Sequence, residues 1–308
     1  MACCNKTWVI KISYLIIAFS NAVTLGHNRY AGGSNAPCFY KLSMKKYILF
    51  ILLGAGCSTA KNSTVSENQP RNTAIVAHRG AWKANPLPEN SIASLQEAIS
   101  LGYDGSEFDV RATADDSLVI HHDPHINNLL IENTPYKVLT QYPLSNGEKL
   151  PTLREYISAA MQHTGKTKLV CEIKKFEVIK TKDAWIAQKV LDLFREGKAM
   201  DKVIFISFNY SILKNLLALD PTLHTQYLGG DVEPIQLSRD GIRGADYHIS
   251  VFKSHPEWIQ QALKHHILLN AWTVDKTKDM DWLLQNGFDY ITTNEPGLLR
   301  ERIRKLKS

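Results

Sequence analysis

The sequence predicts an α/β fold, specifically a (β/α)8 TIM barrel with an insertion after the second strand. From Thr73 onward, apolar runs of strand length alternate with amphipathic stretches of helix length, which is typical of βαβ units around a parallel sheet. Eight such units fit the chain that follows the N-terminal leader, close to the ~250 residues of a typical closed barrel. No Gly-x-Gly-x-x-Gly turn follows the first predicted strand, which disfavours the alternative of a doubly wound open sheet.

The predicted strands are short apolar runs, several of them rich in β-branched residues. In chain order they cover 73–78, 105–111, 168–174, 202–208, 223–228, 246–251, 267–273 and 289–293. The predicted helices cover 90–101, 152–163, 183–197, 211–219, 234–239, 256–265, 277–286 and 297–306. Asn90 and Thr152 are the predicted N-caps of the first two helices, and Gly102 and Gly287 stand where helices should end.

Residues 112–151 interrupt this alternation. They contain one further short apolar run and then a polar stretch with four prolines. We interpret them as an insertion within a single domain that spans 73–308, and long insertions in compact domains are usually functional.

The N-terminal residues are interpreted as a leader and a tether. Residues 44–56 combine two lysines, a short apolar run and small residues, which is typical of a secretory signal peptide and too short for a spanning helix. Cys57 follows directly, as at a bacterial lipoprotein cleavage site, and is the predicted lipidation residue; a plain export signal is the alternative. Residues 1–43 are interpreted as lying upstream of the true start, or else as an extended leader. Residues 57–72 predict a flexible polar tether, so we expect an exported lipoprotein, periplasmic or on the outer membrane or cell surface.

Charge and cysteine content exclude two classes of protein. The net charge is +6, but residues 1–56 contain six basic residues and no acidic one, so the rest of the chain is neutral overall and nucleic-acid binding is not expected. Of five cysteines only Cys57 and Cys171 follow the predicted start, which leaves neither a disulfide framework nor a Cys-x-x-Cys metal site.

Acidic residues cluster on two predicted strands. Residues two apart on a strand point to the same side, so Glu107 faces the same way as Asp109, and Glu172 the same way as Lys174. In a barrel, the C-terminal strand ends face the active site. Three carboxylates in one cavity repel one another unless a cation lies among them or their pKa values rise. Oxygen ligands favour a hard ion, so the sequence predicts one divalent cation, Ca²⁺ or Mg²⁺.

Two imidazoles and two fixed positive charges are expected beside this cluster. His78 and Arg79 end the first predicted strand, His122 follows the apolar run of the insertion, and Lys174 ends the third strand. A hard metal, two proton-transfer groups and two cations together indicate phosphoryl-transfer chemistry.

These residues form motifs that resemble the glycerophosphodiester phosphodiesterase family, over essentially all of 73–300. The motifs are His78-Arg79-Gly80, Pro88-Glu89-Asn90-Ser91, Glu107-x-Asp109, His122-Asp123 and Glu172-x-Lys174. The resemblance implies a TIM barrel, a Ca²⁺ or Mg²⁺ cofactor, and hydrolysis of a small-molecule glycerophosphodiester to sn-glycerol 3-phosphate and an alcohol by general acid–base catalysis from two histidines. It implies metal ligation by Glu107, Asp109 and Glu172, catalysis by His78 and His122, and phosphate contact by Arg79.

Three further residues are candidate substrate-binding residues, each with a structural alternative. Lys174 could instead form an ion pair, Glu89 could belong to a turn, and Trp272 could be a core aromatic rather than a wall for the glycerol moiety. His121 precedes His122 and leaves the register of the second histidine open, although the adjacent Asp123 favours His122.

Two other functions stay open from the sequence. One is a related barrel phospholipase, of the phosphatidylinositol-specific phospholipase C or sphingomyelinase D type, which would need an apolar rim that the polar 112–151 does not supply. The other is a non-catalytic lipoprotein that binds a glycerophosphoryl ligand. The sequence does not indicate an oligomeric state.

Overall fold

Eight parallel strands close into a barrel in the computed structural model, which describes residues 72–83, 85–179 and 181–307. The strands are β1 (Ala74–Ala77), β2 (Gly105–Ala112), β3 (Leu118–Ile120), β4 (His125–Ile126), β5 (Leu129–Leu130), β6 (Lys168–Ile173), β7 (Val203–Ser207), β8 (Thr225–Tyr227), β9 (Gly244–His248), β10 (Leu268–Trp272) and β11 (Tyr290–Thr293). The barrel order is β1-β2-β6-β7-β8-β9-β10-β11, and β11 pairs back with β1. The predicted TIM barrel is therefore confirmed.

Helices follow the barrel strands and cover the outside of the barrel. They are α1 (Ile92–Ser100), α2 (Tyr136–Leu139), α3 (Leu153–Met161), α4 (Asp183–Glu196), α5 (Tyr210–Leu219), α6 (Pro234–Arg239), α7 (Ile249–Ser254), α8 (Glu257–Lys264), α9 (Thr277–Gln285) and α10 (Pro296–Lys307). Thr152 caps α3 as predicted, in a capping box with Glu155. Gly102 and Gly287 follow α1 and α9 with φ of +64° and +70°, the left-handed conformation in which glycine ends helices.

Most of the strands consist largely of apolar residues, because both faces of each strand are buried. Outward-facing side chains pack on the helices; Phe108 of β2, for example, lies 4.4 Å from Tyr156 of α3 between ring centroids. Inward-facing side chains form a second apolar cluster, which includes Val170, Ile206 and Leu228. The candidate site therefore lies above an interior that combines these apolar side chains with the buried polar side chains of Gln226, Asn270 and Thr292.

The insertion forms a small unit with its own apolar centre. β3 pairs antiparallel with the end of β2, β4 and β5 form a hairpin, and a 3-10 turn covers Ile131–Asn133. The Glu132 carboxylate accepts hydrogen bonds from the backbone N–H groups of Glu177 and Val178, both at 2.7 Å. The insertion is thereby attached to the loop that follows β6.

Two local predictions were wrong. The predicted strand 246–251 ends at His248, and α7 begins at Ile249, because the His248 ring accepts a hydrogen bond from Ser250 N–H and caps a helix. Ser91 is the N-cap of α1, with its hydroxyl accepting from Ser94 N–H, whereas Asn90 lies outside the helix. The hairpin and α2 within the insertion were not predicted.

The predicted signal peptide, the predicted lipidation residue Cys57 and nearly all of the predicted tether lie outside the described residues. Among the helices that the structure describes, none has the length and apolar character needed to span a bilayer.

Candidate active site

Three carboxylates meet at the C-terminal ends of neighbouring strands β2 and β6. Asp109 lies beside Glu172 in the parallel register, and Glu107 points to the same side as Asp109. All three side chains are buried, and one oxygen of each lies within 4.8 Å of the others. The structure therefore brings together the residues predicted to be metal ligands.

Lys174 provides the nearest positive charge to this cluster. Its Nζ lies 2.8 Å from Asp109 Oδ1 and 2.6 Å from Glu172 Oε1. Burial opposes the charge on Lys174, but the Asp109 and Glu172 carboxylates outweigh burial and raise its pKa. Lys174 thus has the structural ion-pair role and also lines the cavity above the cluster.

The pKa values of the three clustered carboxyl groups are shifted in different directions. Burial, and then the charges of Asp109 and Glu172, raise the pKa of Glu107 well above its usual range. Burial, and then Asp109, raise the pKa of Glu172 to about 7. Burial acts in the same direction on Asp109, but Lys174 outweighs it and holds the pKa of Asp109 below its usual range. A hard divalent cation fits this oxygen-only donor set, and it would favour the ionised forms of Glu107 and Glu172.

The turn after β1 directs Arg79 toward the carboxylates. Arg79 has a φ of +55° and Gly80 a φ of +85°, and a side chain at Gly80 would clash with Ser94 of α1. Arg79 N–H donates to Glu107 Oε2 at 2.8 Å, while its guanidinium Nη1 lies 2.5 Å from Glu89 Oε2. Glu89 contacts Arg79 and does not line the cavity.

Asn90 holds Asp109 through both ends of its amide. Its Nδ2 donates to Asp109 Oδ2 at 2.8 Å, and its Oδ1 accepts from Asp109 N–H at 3.1 Å. Asn90 adopts a φ of +59°, which asparagine tolerates better than most residues. The sequence showed an asparagine beside Glu89 but not that its side chain points away from the helix.

His78 lines the cavity in a defined tautomer. Its Nδ1 lies 2.8 Å from Asn294 Oδ1, and Asn294 Nδ2 donates to Asp275 Oδ2 at 2.9 Å. The second bond fixes the amide orientation, so His78 Nδ1 is the donor and Nε2 is left unprotonated, 4.0 Å from Glu107 Oε2. Burial, and then Arg79, lower the pKa of His78, which keeps the ring neutral at pH 7.

His122, and not His121, lines the same cavity. His122 Nδ1–H donates to Asp123 Oδ1 at 2.7 Å, which leaves Nε2 for a ligand. Its backbone carbonyl accepts from Arg111 Nε and Nη2 at 2.9 and 2.7 Å. His121 Nδ1 instead lies 2.9 Å from the Asp123 carbonyl oxygen.

The cavity has a volume of ≈ 140 Å³ and two unlike sides. The charged side holds the histidines, Arg79, Lys174 and the carboxylates. The apolar side includes Phe208 and Trp272, with ring centroids 5.4 Å apart, and Trp272 Nε1 donates to the carbonyl oxygen of Asp246 at 2.9 Å. Sequence reasoning assigned no role to Phe208 or Asp246, because neither belongs to a motif of ionisable groups.

The sequence is similar to known proteins over nearly the whole described barrel. Residues 78–298 match the family model described as the glycerophosphoryl diester phosphodiesterase family. A glycerophosphodiester phosphodiesterase of Caldanaerobacter subterraneus subsp. tengcongensis is 30% identical over 247 residues, covering 76% of this chain and 98% of the relative.

Two solved structures share the barrel. A glycerophosphodiester phosphodiesterase from Parabacteroides distasonis has a TM-score of 0.75 and 35% identity, covering 78% of this chain and 100% of that one. An Oleispira antarctica phosphodiesterase in complex with the product sn-glycerol-3-phosphate has a TM-score of 0.64 and 25% identity, covering 75% of this chain and 96% of that one.

Proposed function

Since the chain belongs to the glycerophosphoryl diester phosphodiesterase family, we propose that its cavity hydrolyses glycerophosphodiesters to sn-glycerol 3-phosphate and an alcohol. Membership confirms the resemblance seen in the sequence motifs, and with it the enzyme activity. The observation that supports the site assignment is that His78 and His122 line the same cavity as Glu107 and Glu172.

Charge balance supports a divalent cation as part of the working enzyme. When Glu107, Asp109 and Glu172 are all ionised, the positive charges of Arg79 and Lys174 leave a net negative charge, which would repel a phosphodiester anion. A divalent cation would reverse that sign. Glu107, Asp109 and Glu172 would hold Ca²⁺ or Mg²⁺, and the bound ion would supply electrostatic stabilisation of the phosphoryl oxygens.

Phosphate binding and proton transfer fall to side chains of the protein. Arg79 lines the cavity and would neutralise a phosphoryl oxygen through its guanidinium. His78 Nε2, unprotonated and facing the cluster, accepts the proton of the attacking hydroxyl, either water or the glycerol 2-hydroxyl. Attack by the 2-hydroxyl would form a cyclic phosphodiester, which a water molecule would then open to give sn-glycerol 3-phosphate. His122, oriented by Asp123, protonates the departing alkoxide through Nε2.

The test measures release of sn-glycerol 3-phosphate from sn-glycero-3-phosphocholine. Exhaustive chelation should abolish turnover, and added Ca²⁺ or Mg²⁺ should restore it. His78→Ala and His122→Ala should each lower kcat by ~10²–10⁴-fold with cation binding retained. His125→Ala is the matched control, because His125 is exposed on the hairpin and does not line the cavity. Full turnover after metal stripping, or wild-type rates in both histidine variants, would contradict the proposal.

The cavity rim favours a deacylated substrate over an intact phospholipid. Among the described residues that line the cavity, Phe208 is the one exposed large apolar side chain, at 44% exposure. A barrel phospholipase that enters a bilayer would need a broader apolar surface. Faster turnover of phosphatidylcholine vesicles than of sn-glycero-3-phosphocholine would reverse this assignment, and binding without turnover of either would indicate a non-catalytic binding protein.

We also propose that the chain is exported and lipidated at Cys57. The proposal depends on the signal-like 44–56 and the small residues before Cys57. Labelled fatty acid should enter the wild-type protein and not Cys57→Ser. Equal labelling of the two would exclude Cys57 as the lipidated residue.

A further inference from the structure

Asp246 is a buried carboxyl group that faces the cavity from the side opposite the clustered carboxylates. It lies near the end of β9, is 1% exposed, and lines the cavity with His78 and Glu172. Its Oδ1 is buried without a hydrogen-bond partner among the described residues. A buried polar atom without a hydrogen-bond partner costs about 1–3 kcal/mol. Because Asp246 lines the cavity, a bound ligand is the natural source of the missing hydrogen bond.

The surroundings of Asp246 restrict the chemistry of that ligand. The side chain lies beside Asn270, and the apolar side chains Leu228 and Trp272 line the same side of the cavity. No arginine, lysine or histidine among the described residues forms an ion pair with Asp246. An ionised Asp246 would therefore repel a phosphoryl oxygen, because two anionic groups would meet in a buried place.

A hydroxyl group is the ligand group that best matches the hydrogen-bonding needs of the Asp246 carboxyl group. Burial, and then the Glu172 carboxylate, raise the pKa of Asp246 well above its usual range, while the Asn270 side chain partly offsets this. A hydroxyl both donates and accepts hydrogen bonds, so it pairs with the carboxyl group in either protonation state.

We propose that Asp246 is a specificity residue that hydrogen-bonds a free hydroxyl group of the substrate, so that the cavity selects phosphodiesters of a polyol. The inference rests on the proposed function for the position of the phosphodiester, which Arg79 and the carboxylate-bound cation attract to the opposite side. The substrate then spans the cavity from its charged side to Asp246, with Phe208 and Trp272 covering its carbon chain.

Two other roles for Asp246 are less consistent with the geometry. Asp246 is not among the carboxylates whose oxygens lie within 4.8 Å of one another, which argues against a fourth metal ligand. A carboxyl group with a purely structural role would have both oxygens hydrogen-bonded within the protein. Oδ1 of Asp246 has no such partner among the described residues.

The experiment compares two substrates that differ only in hydroxyl groups. Choline release is measured from sn-glycero-3-phosphocholine and from 2-hydroxypropylphosphocholine, which keeps the 2-hydroxyl and lacks the terminal one, at saturating Ca²⁺. The ratio of the two kcat/KM values should fall at least about tenfold in Asp246→Leu, because a site built to bind a hydroxyl loses that discrimination with its partner. Leucine resembles aspartate in shape, and replacing a buried carboxyl with an apolar group of similar volume often preserves folding. Asp246→Ala repeats the test if the leucine variant does not fold.

Two further variants separate recognition from packing. Asp246→Asn keeps a group that donates and accepts, so it should retain most of the ratio. Leu228→Ala enlarges the same cavity without removing a hydroxyl partner, so it should leave the ratio unchanged. An unchanged ratio in Asp246→Leu, equal loss in Asp246→Asn, or loss of Ca²⁺ binding in Asp246→Leu would overturn the proposal.

A binding measurement distinguishes failure of this inference from failure of the proposed function. If the wild-type protein released choline from neither substrate, the proposed function would be wrong. Calorimetric titration with sn-glycerol 3-phosphate and with methyl phosphate, both in Ca²⁺, would still test Asp246. The preference for sn-glycerol 3-phosphate should fall at least about tenfold in Asp246→Leu, and an equal preference in variant and wild type would refute the role of Asp246.

Discussion

At the scale of single residues, the site depends as much on side chains that hold the ligating groups as on the ligating groups themselves. Asn90 fixes Asp109, Asn294 fixes His78, and Arg111 fixes the backbone of His122. The contact with Asn294 leaves His78 Nε2 facing the cavity, whereas both oxygens of Asp109 are held, Oδ2 by Asn90 and Oδ1 by Lys174. Such supporting contacts determine orientation, and orientation determines metal affinity and proton transfer.

Asn90→Ala should weaken cation binding more than it weakens the chemical step. Without the amide, Asp109 loses two hydrogen bonds and gains rotational freedom, and loss of such a contact typically costs about 10–100-fold in metal affinity. The measurement is the Ca²⁺ concentration that restores half-maximal activity after chelation, followed by kcat at saturating Ca²⁺.

Asn85→Ala is the matched control, because Asn85 is exposed and bonds Glu97 on the surface. An unchanged Ca²⁺ requirement in Asn90→Ala would mean that Asp109 is oriented by β2 and Lys174 alone.

The ionisable residues of the site could be predicted from the sequence, but most of the residues that hydrogen-bond to them and orient them could not. Glu107, Asp109 and Glu172 could be placed together because strand periodicity and barrel topology fix which way they point. The sequence allowed Asn90 either a helix cap or, together with Glu89, a role at the site, and only the three-dimensional turn shows its side chain reaching β2. Asp246 belongs to none of the motifs that the sequence shows, so nothing local indicated that it lines the cavity.

At the scale of elements, strand and helix order was predictable and the ends of elements were less so. The apolar run through Ile249 and Val251 fits a strand and a helix equally well, and the capping contact from His248 decides for the helix. The hairpin 125–130 has strands of two residues each, too short to produce a sequence pattern. Its position depends on packing against the rest of the insertion.

The attachment of the insertion to the loop after β6 gives a prediction at this scale. Glu132→Ala would leave two backbone N–H groups without their carboxylate acceptor. Losing such partners typically costs about 1–3 kcal/mol, so the free energy of unfolding should fall by about that amount. Hydrogen exchange at Glu177 and Val178 should accelerate.

The control for this prediction is Glu196→Ala, which removes an exposed ion pair with Arg154. Exposed ion pairs contribute little, so its stability should change by less than about 1 kcal/mol. Unchanged exchange at Glu177 in Glu132→Ala would show that the loop is held by other contacts.

At the scale of the whole molecule, the barrel should lose stability in mild acid partly through one histidine. Burial, and then Arg243 and Lys168, lower the pKa of His224 to about 4, whereas the unfolded chain has the ordinary value near 6.5. A group whose folded pKa is lowered binds protons more readily in the unfolded state. His224 therefore costs no stability above pH 6.5 and destabilises the fold progressively as pH falls from 6.5 toward 4.

The measurement compares wild type with His224→Gln by urea unfolding at pH 7.5 and pH 4.5. The wild type should lose more stability between these values than the variant does, by about 2 kcal/mol. His163→Gln is the control, since His163 lies near the surface at the end of α3. Equal losses in wild type and His224→Gln would exclude His224 as a source of acid sensitivity.

The contact between His78 and Asn294 joins residues 216 positions apart, across the seam where the first and last barrel strands meet. A nascent chain therefore acquires both imidazoles and all three clustered carboxylates long before it acquires the Asn294 amide that sets the tautomer of His78. We therefore expect turnover only from a chain whose final strand has been synthesised and has paired with β1. A polypeptide that ends before β11 should be inactive even where its earlier units have folded.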